Sequence, residues 1–357
     1  MSLPPKPYRV RFGSKQGITV GSRWYGREVE EADRYTLTKR LIPSSTISGA
    51  FHYLLYRRKI DSLSRFSPFY IQKPDGKVVM PAQYRVCPLG CYASPRQEAT
   101  FCPECGFPMI EKPVYSLGQF DNGLLTFFEG SNNRVVVDLN SLPISSISTR
   151  NPMNNENYVS KIIEGVGNEE RGLLHHSEYL ISDWLGFAYS NLPEFRQMIR
   201  WFAELESIGK NKSRGYGKIE SPEATPTPSF KSSKTAYVAS PIPIAESLPQ
   251  VKPKLQINFE EPETVSEKRF THKAPNVPLS MSLIPEGLLL EEEVPSESPL
   301  HLTLWNDGRL QLFDYETATT EDRPMAGFDY KGAAHYSMRD LWLLGYGMLI
   351  PVEVKAL

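Results

Sequence analysis

The sequence predicts an α+β protein, and three observations carry that expectation. Two stretches place apolar residues at helical spacing: Ile47, Phe51, Leu54 and Leu55, then Phe195, Met198, Ile199, Phe202 and Leu205. Between and around them lie short alternating or compact apolar runs bounded by turn residues, which read as strands. An apolar content of 40% and an aromatic content of 11% in 357 residues give material for a substantial core.

Taken in order, Tyr8-Arg9-Val10-Arg11-Phe12 alternates apolar and basic residues, the pattern of a half-buried strand with Arg9 and Arg11 on one face. Residues 13–34 are rich in glycine, charge and aromatics, including Arg23-Trp24-Tyr25-Gly26-Arg27, and read as a loop with some extended structure. The first helix follows Leu41-Ile42-Pro43, with Ser44 or Ser45 as N-cap and Arg57-Arg58-Lys59 at its negative end. Leu124 to Phe128 and Val135 to Leu139 read as strands, and Gly172 to Ile181 as a strand or loop. The second helix runs from about Pro193 to Glu206, capped by Asn191 with Pro193 in its first turn. Residues 221–299 hold 13 of the 30 prolines and no strong periodicity, so they read as a linker or extended arm. Order returns in 300–357, where Asn306-Asp307-Gly308 between two apolar runs signals a hairpin and Gly347 to Val354 a closing strand.

Net charge is −1 overall but divides unevenly. Residues 1–220 carry 28 basic and 22 acidic side chains, and residues 221–357 carry 12 and 19. A body of net charge +6 beside a part of −7 suggests anion binding by the former. The proline-rich start has no signal-peptide core and no stretch approaches a bilayer span, so a soluble, cytoplasmic protein without a membrane partner is expected.

All four cysteines fall within nineteen residues as Cys87-x3-Cys91-x10-Cys102-x2-Cys105. A disulfide framework does not cluster in this way, whereas two knuckles of paired thiolates suit tetrahedral zinc. Four sulfur ligands leave no open position, so the expected Zn2+ is structural, stapling an insertion over about 82–112. The second unusual stretch is Ile208 to Ile219. It holds Gly209, Gly215 and Gly217, the cations Lys210, Lys212, Arg214 and Lys218, the aromatic Tyr216 and the small polar Ser213, with no acid. Glycines free the backbone to approach a ligand, cations meet phosphates and a tyrosine ring offers a stacking face. No lysine and hydroxyl end a four-residue spacer, so this is not a nucleotide P-loop.

Together these pieces resemble the RAMP superfamily of CRISPR-associated proteins. Leu41-Ile42-Pro43-Ser44-Ser45-Thr46-Ile47-Ser48-Gly49-Ala50-Phe51 is similar to its IPGSSLKGALR helix start, with Ser44 for the usual glycine and Phe51-His52 for Leu-Arg. Gly209 to Gly217 is similar to its GxxxSRGxG loop, and Thr149-Arg150-Asn151 with Gly172-Leu173-Leu174 to the middle of type III subunits. The resemblance covers about residues 8–220. It implies a ferredoxin-like (RRM-like) β-α-β-β-α-β core over 1–220 and says nothing firm about 221–357; the residues themselves add the zinc-ribbon insertion and a β-rich C-terminal extension over 300–357, with room for a second ferredoxin-like unit. It further implies a type III effector subunit that binds crRNA, most like the large III-D-like subunit holding the 5′ repeat-derived handle. Partners would be backbone RAMP subunits and the large polymerase-like subunit in antiviral defence. Expected RNA contacts are Arg9, Arg11, Arg23, Ser44, Ser45, Lys210, Lys212, Ser213, Arg214, Gly215, Tyr216, Gly217 and Lys218.

Catalysis is the alternative. Glu28, Glu30, Glu31 and Asp33 stand roughly where backbone subunits carry a catalytic aspartate, and a processing ribonuclease would use histidine. Four clustered acids also make a solvated turn, His52 has no partner in sequence, and His175-His176 point to opposite faces of a strand. The expectation is therefore a non-catalytic RNA-binding and assembly subunit.

Overall fold

The computed structural model describes residues 4–20, 24–25, 34–36, 40–94, 100–129, 146–150, 162–164, 170–172, 175–209, 217–244, 283–306, 309–320 and 338–356. The first strand, β1 (Lys6–Ile18), keeps the alternation read from its sequence: Tyr8, Val10 and Phe12 are buried while Arg9 and Arg11 turn away. The first helix, α1 (Ser44–Arg58), buries Ile47, Phe51, Leu54 and Leu55. Its N-cap is Pro43 rather than a serine, and the Pro43 carbonyl accepts from the Thr46 and Ile47 N–H groups. Lys59 ends it in the left-handed conformation, φ 54°, closing the helix on the Leu55 and Tyr56 carbonyls.

Strands β2 (Ser64–Phe66), β3 (Phe69–Gln72), β4 (Val78–Val86), β5 (Ile110–Asp121) and β6 (Leu124–Glu129) follow. The long strand β7 (His175–Ser190) then leads into α2 (Phe195–Leu205) and β8 (Glu220–Pro226). Asn191 does not cap α2, because its side-chain oxygen accepts from the Leu63 N–H and the Ser62 hydroxyl; Glu194 holds the N-cap position. At one end of the main sheet the order is β8-β1-β7-β3. Counting only the strands flanking the two helices, that is fourth-first-third-second, the arrangement of a β-α-β-β-α-β unit. β1 runs antiparallel to both β7 and β8, with Val10 opposite Gly186 and Ala224.

Successive residues of β7 point to opposite faces. Trp184 and Ala188 join the core that α1 and α2 cover, with Phe51, Phe66, Phe195 and Phe202 at its centre. Leu185 and Phe187 join a second core with Tyr70, Phe120, Phe230 and Tyr237. Both faces of the central sheet are thus buried, one by helices and the other by the chain that follows β8.

That following chain differs from the expected arm. β8, β9 (Ala236–Val238) and β10 (Leu289–Leu290) belong to the main sheet and, apart from Glu220 at the start of β8, lie in the stretch read as linker. β8 escaped notice because Pro222 and Pro226 break its apolar pattern; an edge strand tolerates proline because one side of its ladder is free. Residues 245–282 lie outside the described residues. The hairpin of β11 (Leu302–Asn306) and β12 (Arg309–Phe313) forms as expected, followed by α3 (Tyr315–Thr320) and α4 (Met338–Leu343). The closing strand β13 (Leu349–Ala356) does not build a second ferredoxin-like unit. It enters the main sheet, parallel to β6 and antiparallel to β9.

A buried arginine ties this block to the core. Arg65, on β2, is fully buried and donates to the carbonyls of Pro299, His301, Trp342, Tyr346 and Gly347, at 2.8–3.3 Å. Its guanidinium also lies 5.5 Å from the Trp342 ring centroid. Burial pushes Arg65 down to about 9, so it stays protonated at neutral pH. Five backbone dipoles, rather than a carboxylate, solvate the charge.

Candidate metal centre and nucleic-acid interface

The cysteine segment closes the β4–β5 hairpin. The antiparallel ladder runs from Val78 opposite Gly118 to Val86 opposite Ile110, and the knuckles begin at the next residue. Each knuckle is built by its own backbone. Cys87 N–H donates to Tyr92 O and Gly90 N–H to Cys87 O; Cys102 N–H donates to Phe107 O and Gly106 N–H to Cys102 O. Gly90 and Gly106 have φ of 78° and 72°, conformations that a side chain resists; Gly90 stands just before the second cysteine of its knuckle and Gly106 just after that of the other.

The turns bring the four Sγ atoms within 4.8 Å of one another. Cys87 to Cys91 is 3.5 Å, and Cys105 is 3.4 Å from both. None of these is a disulfide distance, and all four cysteines are free. Around an ion with metal–sulfur bonds of about 2.3 Å, tetrahedral sulfurs stand about 3.8 Å apart, close to the observed spacing. An all-sulfur donor set of this size suits zinc, held by Cys87, Cys91, Cys102 and Cys105. Cys87 and Cys102 are buried with Met109, while Cys105 is exposed, so such a site sits at the edge of the module.

The glycine-rich stretch is described at its two ends. Gly209 and Gly217 have φ of 81° and 80°. The Ile208 N–H donates to Gly217 O, the Gly217 N–H to Gly17 O, and Ser207 bridges Lys218. A Cβ on Gly217 would overlap the Ile208 carbonyl, and one on Gly209 the Thr19 carbonyl. The ends of the loop are therefore pinched together against the last turn of β1 by positions that only glycine fills without strain. Lys218 is exposed and lines a cleft of about 640 Å³ with Arg200, Glu204 and Glu220. Lys210, Lys212, Ser213, Arg214, Gly215 and Tyr216, on which the RNA expectation leans most, lie outside the described residues, as do Arg23 and Glu28, Glu30, Glu31 and Asp33.

The remaining expected contacts are dispersed. Arg11 stands six residues before Gly17, about 20 Å along an extended strand. Its Nε donates to Gln72 Oε1 at 2.9 Å, and it lines a cleft of about 550 Å³ with Lys15, Asp183, Glu220 and Glu223. Arg9 is half-buried; burial and the neighbouring Arg11 hold its guanidinium below its ordinary value, against Asp121 and Glu223. Ser44 is buried and its hydroxyl donates to the Gly345 carbonyl at 3.0 Å. A Cβ on Gly345 would come within 2.7 Å of the Ser44 Cβ, so the C-terminal block roofs the first turn of α1. Ser45, beside it, is half-buried. The helix start is thus set apart, because the C-terminal block covers α1's first turn, whereas the clefts lined by Arg11 and by Lys218 share Glu220 and Ser221.

His52 Nε2 lies 2.7 Å from the Ser64 carbonyl, and burial holds the ring below its ordinary value, so it is neutral and tied to the backbone. His175 and His176 head β7, opposite Arg150 and Thr149 in the Ser146–Arg150 strand. Sequence reading missed Arg65 and the aromatics at the end of α1, and took Arg57, Arg58 and Lys59 only as charges suited to the helix end. The missed signals, an arginine in a three-residue strand and Tyr53 and Tyr56 outside the apolar stripe, are visible only in retrospect.

No family model matches this chain, and no curated protein matches it either. Among solved structures, chains of Type III-B Cmr-beta assemblies are similar in part. One, from the cryo-EM structure bound to cognate target RNA and AMPPnP, state 1, is 12% identical with a TM-score of 0.41 over 79% of this chain and 85% of that one. A second, bound to cognate target RNA, is 11% identical with a TM-score of 0.43 and the same coverage. A third, from the apo state, is 10% identical with a TM-score of 0.28 over 61% of this chain and 96% of that one. At such scores the fold assignment rests on the strand order, not on the likeness. Among the described residues no helix is long and apolar enough to cross a membrane.

Proposed function

We propose that this chain is a non-catalytic crRNA-binding and assembly subunit of a type III CRISPR effector complex, holding the 5′ repeat-derived handle. The observation that carries the reading is the pinched base of the basic glycine-rich loop, between Gly209 and Gly217, on a β-α-β-β-α-β unit with fourth-first-third-second strand order. Because the described ends at Ile208 and Gly217 are hydrogen-bonded, the chain carrying Lys210, Lys212 and Arg214 leaves and returns at one place. Lys210, Lys212, Arg214 and Lys218 supply charge, Ser213 and the glycine backbone supply donors, and Tyr216 supplies a stacking face. Arg9, Arg11 and Arg23 serve other points along the RNA. Cys87, Cys91, Cys102 and Cys105 would hold a zinc ion whose part is structural, keeping the β4–β5 tip in shape. The C-terminal block and the knuckles are the parts available to neighbouring backbone subunits and the polymerase-like subunit.

The test is crRNA binding by the full chain against salt concentration, for wild type, a Lys210/Lys212/Arg214 triple alanine and Gly217→Ala. Each lost phosphate contact should flatten the log–log salt slope by about one. Gly217→Ala should weaken binding with the slope intact, because it removes no charge and strains the loop base. Unchanged affinity and slope in the triple alanine would overturn the reading.

A further inference from the structure

The last turns of α1 carry a surface that the loop does not explain. Tyr53 is 55% exposed and Tyr56 80%, three residues apart and so on one helical face. The core of α1 needs neither ring, since its opposite face already buries Ile47, Phe51, Leu54 and Leu55. Arg57, Arg58 and Lys59 follow, all exposed. The Arg57 guanidinium lies 5.7 Å from the Tyr53 ring centroid, and that of Arg58 5.7 Å from the Trp201 ring of α2. Two acids stand nearby. Glu206 is 3.4 Å from Arg57 Nη1, and Asp61 is exposed two residues beyond Lys59. The Arg57 side chain is 59% exposed against 13% for Glu206, so the solvent side of the guanidinium stays open to a phosphate. Lys59 makes no ion pair among the described residues.

The surface adjoins the loop. Glu206, which Arg57 touches, directly precedes Ser207, and Ser207 bridges Lys218 at the loop base. Its chemistry selects among occupants. An apolar protein face would have to bury three cations, and an acidic peptide would leave the two rings in water. A single strand of RNA satisfies both, with bases on ring faces and phosphates on cations. We infer that the C-terminal turn of α1 is a second contact for single-stranded RNA: a base stacks on Tyr56, phosphates meet Arg58 and Lys59, and the strand continues from the glycine-rich loop. Only the direction of that path rests on the reading of the loop.

The experiment measures binding of labelled oligouridylates of about 4 and about 16 nucleotides to the full chain by fluorescence anisotropy across salt. A Tyr53→Ala/Tyr56→Ala variant should bind the longer strand about 5- to 100-fold more weakly, and Tyr53→Phe/Tyr56→Phe should bind as wild type. Lys59→Gly should flatten the salt slope by about one. It cannot act through misfolding, because glycine favours the left-handed conformation that Lys59 already holds, φ 54°. Full affinity in the double alanine overturns this inference; if the loop triple alanine then loses binding, the loop reading stands alone. Loss in the double alanine with none in the loop variant keeps this surface and removes the loop reading. Intact RNA affinity with loss of a protein from the assembled complex assigns the surface to a protein and also overturns the inference.

Discussion

Replacing Arg65 with methionine should detach the C-terminal block from the core. Methionine keeps most of the volume and removes the guanidinium, so the change isolates the charge and its five hydrogen bonds. The carbonyls of Pro299, His301, Trp342, Tyr346 and Gly347 would lose a donor together. A hydrogen bond to a charged group contributes about 1.5–3 kcal/mol, and a buried orphaned acceptor costs about 1–3 kcal/mol. Full additivity would exaggerate, since carbonyls can turn toward water and burying the free cation itself costs energy. A loss of about 3–5 kcal/mol is the expected scale, comparable to breaking a buried ion pair on one side. Arg65→Lys should fall between the two, because an ammonium has three donors rather than five. Urea unfolding followed by tryptophan fluorescence measures the loss, with Trp342 reporting from 5.5 Å away. Limited proteolysis should meanwhile cut first between β12 and β13. A methionine variant as stable as wild type, with its C-terminal block equally resistant, would show that apolar packing of Leu302, Leu341 and Trp342 holds the block without the arginine.

Three further outcomes are expected. Elemental analysis should find one zinc per chain, and Cys102→Ser should lose it and loosen residues 87–110 while the α1 and α2 circular-dichroism signal persists. Stability should fall as pH drops below about 6.5, because burial holds His52 and His301 below their ordinary values and the unfolded chain binds protons that the folded one refuses; above that pH both are neutral and the penalty vanishes. His52→Gln should reduce that loss in acid-unfolding curves. Assembled complexes carrying Asp33→Ala or His175→Ala should cut target RNA at the wild-type rate and spacing, and loss of one cut site on a sequencing gel would support a cutting backbone subunit.

What the sequence determined by itself was chemistry carried by a few neighbouring residues. The stripe Ile47, Phe51, Leu54 and Leu55 needs only a 3.6-residue period to declare a helix, and it is buried as read. The cysteine spacing declares two knuckles, and the turns at Gly90 and Gly106 bring the sulfurs together. The hairpin of Leu302–Asn306 and Arg309–Phe313 was legible from its turn residues. What only the tertiary structure decided were partnerships between distant segments. Asn191 reads as a helix cap, yet Ser62 and Leu63 claim its oxygen from more than a hundred residues away. The stretch 221–299 reads as a linker because prolines hide its strands, while β8 is the fourth strand of the core. Ser44 is an ordinary helix-start serine until Gly345 covers it, and Arg65 an ordinary arginine until five carbonyls from residues 299–347 surround it. Periodicity, caps and metal spacing are set by bonds within a turn or two of chain. Burial of a charge or the choice of a strand neighbour is set by groups that meet only once the chain has folded, and no local pattern encodes them.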